Sequence, residues 1–303
     1  MLSDKEIVCP NNLLDVAHQK KGVSAGIVNA GKLITMMSVM DAVNENLIIP
    51  IFIGDQEEIE KCALDLNFDI SSFDIIDEKE ENKTSIIAAE LASKEKIKII
   101  VKGHIHTDVL MREVIKKKYN LIGKTRLSHI WHMTLDKQDK PLIITDGALN
   151  VSPNVKTKMH ILKNVINFCK RIGNERPKKS ILSATEEVLD SVQSSIDAKE
   201  ITELAQKENL IADVFGPLAF DNSISKKSAE IKSIKNIVAG NADVLLVPSV
   251  ETGNALVKIM VYFMGACAAG VVVGGKVPVV ITSRSDVATA RLASIAAAVV
   301  ALD

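Results

Sequence analysis

Residues 24–65 read SAGIVNAGKLITMMSVMDAVNENLIIPIFIGDQEEIEKCALD, and this stretch decides the fold class. Ser24 to Asn29 and Ile48 to Ile53 are short apolar runs rich in β-branched residues. Lys32 to Asn44 and Asp55 to Asp65 instead carry apolar residues at helical spacing. Apolar runs of strand length that alternate with amphipathic helices are the pattern of parallel strands in βαβ units. Asp55 followed by Glu57 and Glu58 is a helix-start signal, because a carboxylate there accepts from the free N–H groups of the first turn.

The alternation continues along the chain. Further strands are expected at Ile97 to Val101, Leu142 to Ile144, Val244 to Val247, Gly270 to Val273 and Val277 to Ile281. Helices are expected at Lys83 to Ser93, Val109 to Lys118, Asn154 to Arg171, Thr185 to Asp197, Ile201 to Glu208, Asn254 to Met264 and Ala288 to Leu302. Ser183, three residues before Glu186, has the spacing of a capping box. Asp77 to Asn82 and Asn174 to Ser180 read as solvated connections. Gly26 to Lys32 only superficially suggests a phosphate loop, since Leu33 stands where the Walker pattern needs Ser or Thr.

Composition removes several functional classes. The chain has 303 residues, 47% hydrophobic and 25% charged, enough for two packed α/β units. Thirty-seven Lys+Arg against 38 Asp+Glu leave a formal net charge of -1, so no global field draws the chain to nucleic acid or an anionic membrane. Aromatics make up only 3%, too few for base-stacking platforms. Cys9, Cys62, Cys169 and Cys267 form no CxxC pair and read as reduced thiols of a cytoplasmic protein. The charged N-terminus carries no signal-peptide pattern. The apolar stretch from Val261 to Val273 is shorter than the ~20 residues a spanning helix needs.

Chemistry concentrates between Gly216 and Leu292. Gly216-Pro217-Leu218 with Asp221, Ala239-Gly240-Asn241-Ala242-Asp243, Pro248, Glu251, Gly253-Asn254 and Ser283-Arg284 follow one another at the ends of apolar runs. Upstream lie Gly103-His104-Ile105-His106-Thr107-Asp108 and Ile144-Thr145-Asp146-Gly147-Ala148-Leu149-Asn150, followed by Pro153. In this order the blocks resemble the phosphate acetyl/butyryl transferase family, from about residue 96 to the C-terminus. The TSRSD block, the HxHTD segment and the compact length look more like its butyryl branch.

The resemblance implies two α/β/α domains with a cleft between them, an isocitrate/isopropylmalate dehydrogenase-like fold. Residues 1–122 plus 273–303 would form the first domain and residues 123–272 the second. It also implies exchange of a short acyl group between coenzyme A, as substrate, and inorganic phosphate, with no metal and no cofactor. A homodimer or higher homo-oligomer is expected from the family, and the small-residue helix Ala288 to Leu302 suits close packing against another helix or subunit.

Ser283 and Arg284 follow the run Val277 to Ile281 and so belong at the carboxyl end of a strand, where open sheets bind ligands. There Arg284 would grip phosphate through its planar fork, and Ser283 would donate to an oxygen as charge develops. Asp286 is either the base for the thiol or the cap of the next helix; the acetyl branch places its catalytic Asp farther on, where this chain has Thr289, Ala290 and Arg291.

Arg112 is the nearest match to a second phosphate-binding Arg, or else a solvated helix residue. His104 and His106 flank one apolar residue and would face one side of an extended segment, hydrogen-bonding acyl phosphate together with Thr107, or packing at the cleft. His129 and His132 read as structural. Asp146 and Asn150, and likewise Glu251 and Asn254, follow apolar runs and belong at strand ends facing a cleft, as candidate substrate-binding residues. Asn254 is expected to begin a helix, and capping is the alternative role for it and Glu251. Besides a phosphate butyryltransferase, two readings stay open: a phosphate acetyltransferase, and a non-catalytic coenzyme A-binding module.

Overall fold

The structure is a computed structural model, and it describes residues 2–135, 140–282 and 286–302. It divides into two compact units: Ile7–Lys124 with Ala269–Asp303, and Met1–Glu6 with Thr125–Ala268.

The chain enters the first unit through α1 (Asn11–Ala17) and then alternates β1 (Val23–Val28), α2 (Leu33–Asn44), β2 (Ile48–Gly54), α3 (Gln56–Asp65), β3 (Ile75–Asp77), α4 (Glu81–Ser93), β4 (Ile99–Lys102) and α5 (Thr107–Val114). A single 3-10 turn follows at Lys117–Tyr119. Asp55 caps α3 as its sequence suggests, accepting from the N–H groups of Glu57 and Glu58 at 3.0 and 3.3 Å. The connection expected at Asp77 to Asn82 is shorter than its charge pattern suggests, since Asp77 closes β3 and Glu81 opens α4.

The second unit runs β5 (Ser128–Thr134), β6 (Leu142–Thr145), α6 (Val155–Arg171), β7 (Lys178–Leu182), α7 (Gln193–Lys207), β8 (Asp213–Leu218), α8 (Phe220–Ile224), α9 (Lys226–Ile231), β9 (Val244–Leu246) and α10 (Val250–Met264). Its strands lie in the order β5-β6-β9-β7-β8, with β5 antiparallel to β6 and the other neighbours parallel. Val257 and Met260 of α10 pack on Met133 and Ile144 at one side of the sheet. Ile161 and Leu162 of α6 with Ala198 and Ile201 of α7 bury Ile181 and Leu246.

The last segment returns to the first unit as β10 (Cys267–Val273), β11 (Val279–Val280) and α11 (Ala288–Ala301). Strand order there is β3-β2-β1-β4-β11-β10, parallel except for the β10–β11 pair. The small residues of α11, among them Ala293, Ala296, Ala297 and Ala298, are buried, and the helix packs on α1 and α2 of the same unit.

Three local expectations fail for tertiary reasons. Residues 185–192 form turns, so α7 starts only at Gln193 and runs through the two helices expected at Thr185 to Asp197 and Ile201 to Glu208. The expected capping box does not form: the Ser183 hydroxyl pairs with Ser194 at 2.9 Å, and Glu186 takes Lys232 at 2.9 Å. The Asn174 to Ser180 connection ends early, because Lys178 and Lys179 already belong to β7, a strand flanked by β8 and β9 that leaves Lys179 fully buried. No helix among the described residues is long and apolar enough to cross a membrane.

Candidate functional site

In the first unit the strand order reverses between β1 and β4, and the carboxyl ends flanking such a point form the ligand crevice of open α/β sheets. The two ends are tied closely. Gly103 donates to Val28 O at 2.8 Å, His104 donates to Asn29 O at 3.0 Å, and the Asn29 side-chain amide donates back to His104 O. A Cβ on Gly103 would lie 2.5 Å from both the Val28 and Asn29 carbonyl oxygens, so only glycine lets β4 leave the sheet here.

His104, His106, Thr107 and Arg112 all sit at this end, in the β4–α5 turn and on α5. His104, His106 and Thr107 are exposed, while Ile105 between the histidines is buried. His106 is the N-cap residue of α5, and its backbone N–H and ring Nδ1 meet Glu81 Oε1 at 2.5 and 2.9 Å. The His106 N–H, joined by its ring, holds the Glu81 carboxyl below its usual range although desolvation opposes them. Glu81 was not among the expected site residues; it is reached through α4, not through the β4 motif. Arg112 is exposed and pairs with Asp108 one turn earlier at 3.2 Å, an ordinary helix-surface pair.

Beside β4 runs β11, in parallel register with Ile100 and Val101 opposite Val279 and Val280. Ser283 and Arg284 lie outside the described residues. Asp286 is one residue short of the N-cap of α11, which is Val287, and its carbonyl accepts from Arg291 Nε at 3.2 Å. Arg291 is buried, which lowers its pKa, while the Asp286 charge acts in the opposite sense. Two buried polar residues at these strand ends were not among the expected site residues: Lys102, the last residue of β4, and Thr282 after β11, the first residue of the TSRSD block. The available signal was a lysine closing an apolar run immediately before Gly103.

In the second unit, Asp146 and Asn150 belong to one turn after β6, with Asp146 buried and Asn150 half-buried. Asp146 Oδ1 accepts from the N–H groups of Ala148 and Leu149 at 3.0 and 2.9 Å. Its Oδ2 accepts from His129 N, Asn150 N and Asn150 Nδ2 at 3.1, 3.3 and 2.6 Å. That carboxylate is thus committed to holding the turn, and Asn150 Nδ2 also reaches Leu127 O at 2.9 Å.

Gly147 and Gly253 bring this turn against the start of α10, since a Cβ on Gly253 would come 2.7 Å from Gly147 Cα. Glu251 is exposed in the first turn of α10, where its own N–H and the Ser249 hydroxyl lower its pKa. Asn254 does not begin the helix: Ser249 is the N-cap, and Asn254 is the fifth helical residue and exposed. His129 and His132 lie buried in β5, and desolvation pushes each down to about 4, so both are neutral at physiological pH.

Other chemistry is scarce. No group of three or more His, Cys, Asp or Glu among the described residues could hold a metal ion. The Cys9 and Cys169 thiols are pushed up by burial to about 12 and about 11, which keeps them protonated and poor nucleophiles.

Residues 78–299 match the family described as phosphate acetyl/butaryl transferase. The chain belongs to that family. It is therefore an enzyme, a phosphate acyltransferase. Among its relatives, the phosphate acetyltransferase of Rickettsia felis is 36% identical over 276 residues, 90% of this chain and 79% of that protein. The phosphate butyryltransferase of Clostridium acetobutylicum is 35% identical over 263 residues, 86% of this chain and 87% of that one. The crystal structure of a branched-chain phosphotransacylase from Enterococcus faecalis superposes with a TM-score of 0.81 at 29% identity, covering 92% of this chain and 98% of that one. Both branch names occur among relatives of near-equal identity, so the family match does not separate acetyl from butyryl transfer.

Proposed function

We propose that this chain exchanges a short acyl group between coenzyme A and inorganic phosphate, with butyryl as the favoured acyl chain. The single observation that carries the transfer is the family match over residues 78–299, which takes in both the β4–α5 turn and the segment after β11; the butyryl preference rests on the TSRSD block, the HxHTD segment and the compact length. In the direction of acyl-CoA synthesis, the coenzyme A thiol loses its proton to a base and its sulfur attacks the carbonyl carbon of the acyl phosphate. The carbon–oxygen bond to phosphate breaks, and inorganic phosphate leaves with that electron pair.

Arg284 is assigned to the phosphate and Ser283 to the developing oxyanion. Asp286 is the candidate base, with the buried Arg291 as its cationic neighbour. His104, His106, Thr107, Arg112, Glu251 and Asn254 are assigned to substrate contacts. Asp146 and Asn150 act by shaping the turn they hold. The reading includes domains of residues 1–122 plus 273–303 and 123–272 in an isocitrate/isopropylmalate dehydrogenase-like arrangement, a homodimer or higher homo-oligomer, and residence in the cytoplasm.

Thiol release from butyryl-CoA, propionyl-CoA and acetyl-CoA in the presence of phosphate tests the proposal, and no release from any of them refutes it. Relative kcat/KM ranks the acyl chains, each methylene being worth ~1–3 kcal/mol in an apolar pocket. A higher kcat/KM for acetyl-CoA would make the enzyme a phosphate acetyltransferase. Arg284→Lys is expected to lose ~10²-fold or more in kcat/KM for phosphate, because an ammonium cannot replace a bidentate fork. Unchanged kinetics would remove Arg284 from the site.

A further inference from the structure

The carboxyl ends of β4 and β11 hold two polar residues that were given no chemical role above: Lys102, just before the Gly103 block, and Thr282, the first residue of the TSRSD block. Lys102 is only 6% exposed although its side chain ends in an ammonium, and Thr282 is 5% exposed. The Lys102 Nζ lies 3.5 Å from the Thr282 carbonyl oxygen, which brings the two residues together across 180 positions of sequence. The Thr282 hydroxyl oxygen is buried and has no hydrogen-bond partner among the described residues. Burying a hydroxyl without a partner opposes folding. Such an arrangement is expected where a ligand completes the bonding, as at preorganised anion sites.

The position agrees with the chemistry. Parallel register between β4 and β11 puts both residues at or just beyond the ends of their strands, beside the reversal of strand order at β1 and β4. A compact ammonium and, on the neighbouring strand, a hydroxyl with a bond still to donate suit a tetrahedral oxyanion.

We propose that Lys102 and Thr282 form a binding point for a phosphate oxygen of the substrate, Lys102 through its ammonium and Thr282 through its hydroxyl. The proposal rests on the phosphate acyltransferase reading for the identity of the anion, but not on the Ser283-Arg284 assignment.

The test uses the full chain with inorganic phosphate as the probe, in calorimetric titration and in steady-state kinetics. Lys102→Met is expected to weaken phosphate binding at least ~10-fold and to lower kcat/KM for phosphate ~10²-fold or more, with KM for acyl-CoA changed less than ~2-fold. Lys102→Arg restores part of the loss. Thr282→Val weakens phosphate ~10-fold through a single lost hydrogen bond to a charged group. Lys98→Met, at an exposed lysine four residues earlier, leaves both substrates unaffected. Wild-type phosphate affinity in Lys102→Met overturns the proposal, and so does an equal rise of both KM values accompanied by a lower Tm. Should Lys102→Met fail to fold, wild-type phosphate affinity in Thr282→Val overturns it instead. A wild-type protein that binds phosphate through Lys102 but releases no thiol supports this site and removes the transferase reading. An active wild type with undiminished Lys102→Met does the reverse.

Discussion

Lys179 is the sharpest energetic anomaly of the second unit, and replacing it with methionine should stabilise the protein. The side chain is fully buried in β7, makes no ion pair among the described residues, and has as its polar contact the Cys169 sulfur at 4.0 Å. Burial pushes its pKa from 10.5 down to about 8, although Cys169 and Asp243 pull it back. Cys169 itself stays a neutral thiol, its pKa raised by burial to about 11.

The fall from 10.5 to about 8, at ~1.36 kcal/mol per pH unit, is a cost of about 3 kcal/mol for carrying the charged form in the folded state. Below pH 8 both states are protonated and the full cost applies. Between pH 8 and 10.5 the unfolded chain holds the proton and the folded chain does not, so the cost of burying Lys179 becomes that of leaving its proton behind. That cost shrinks with rising pH, and the contribution of Lys179 to stability improves through the window. Lys179→Met keeps the length of the side chain and removes the charge. Scanning calorimetry should therefore show the variant higher in Tm by on the order of 5–10 °C at pH 7, with the gap narrowing toward pH 10.5. An equal or lower Tm at pH 7, or a gap that does not change with pH, would refute the reasoning.

Asp146→Ala leaves five N–H donors around a half-buried turn without their acceptor and should cost ~2–4 kcal/mol in denaturant unfolding; Asp146→Asn, which keeps one carbonyl acceptor, should cost less. His129 and His132 take up protons near 6.5 when unfolded but only near about 4 when folded, so stability is lost as pH falls across that window, by up to about 3 kcal/mol for each. His132→Leu should flatten the stability profile between pH 7 and 4, and an unaltered slope would mean that His132 is not the group responsible.

Local sequence carried those features whose cause is local. Short apolar runs and helical apolar spacing are properties of consecutive residues, so the alternation from Ser24 to Asp65 announced its strands and helices, and Asp55 announced its cap. Strand ends could likewise be located from where apolar runs stop, and His104, His106 and Asp146 do stand near carboxyl ends. Partner choice is not local in this sense. The capping box at Ser183 lost its residues to Ser194 and Lys232, and Asn254 yielded helix initiation to Ser249, because each found or lacked a partner only after packing. β7 was hidden because a strand flanked by neighbours on both edges can bury a lysine that composition assigns to a solvated loop.

The sequence by itself therefore determined the α/β class and, through the ordered blocks from Gly103 to Arg284, the family. Only the tertiary structure decided that Asp146 spends its carboxylate on its own turn. It alone brought Lys102 and Thr282 together, because parallel pairing of β4 with β11 joins residues that the chain keeps 180 positions apart.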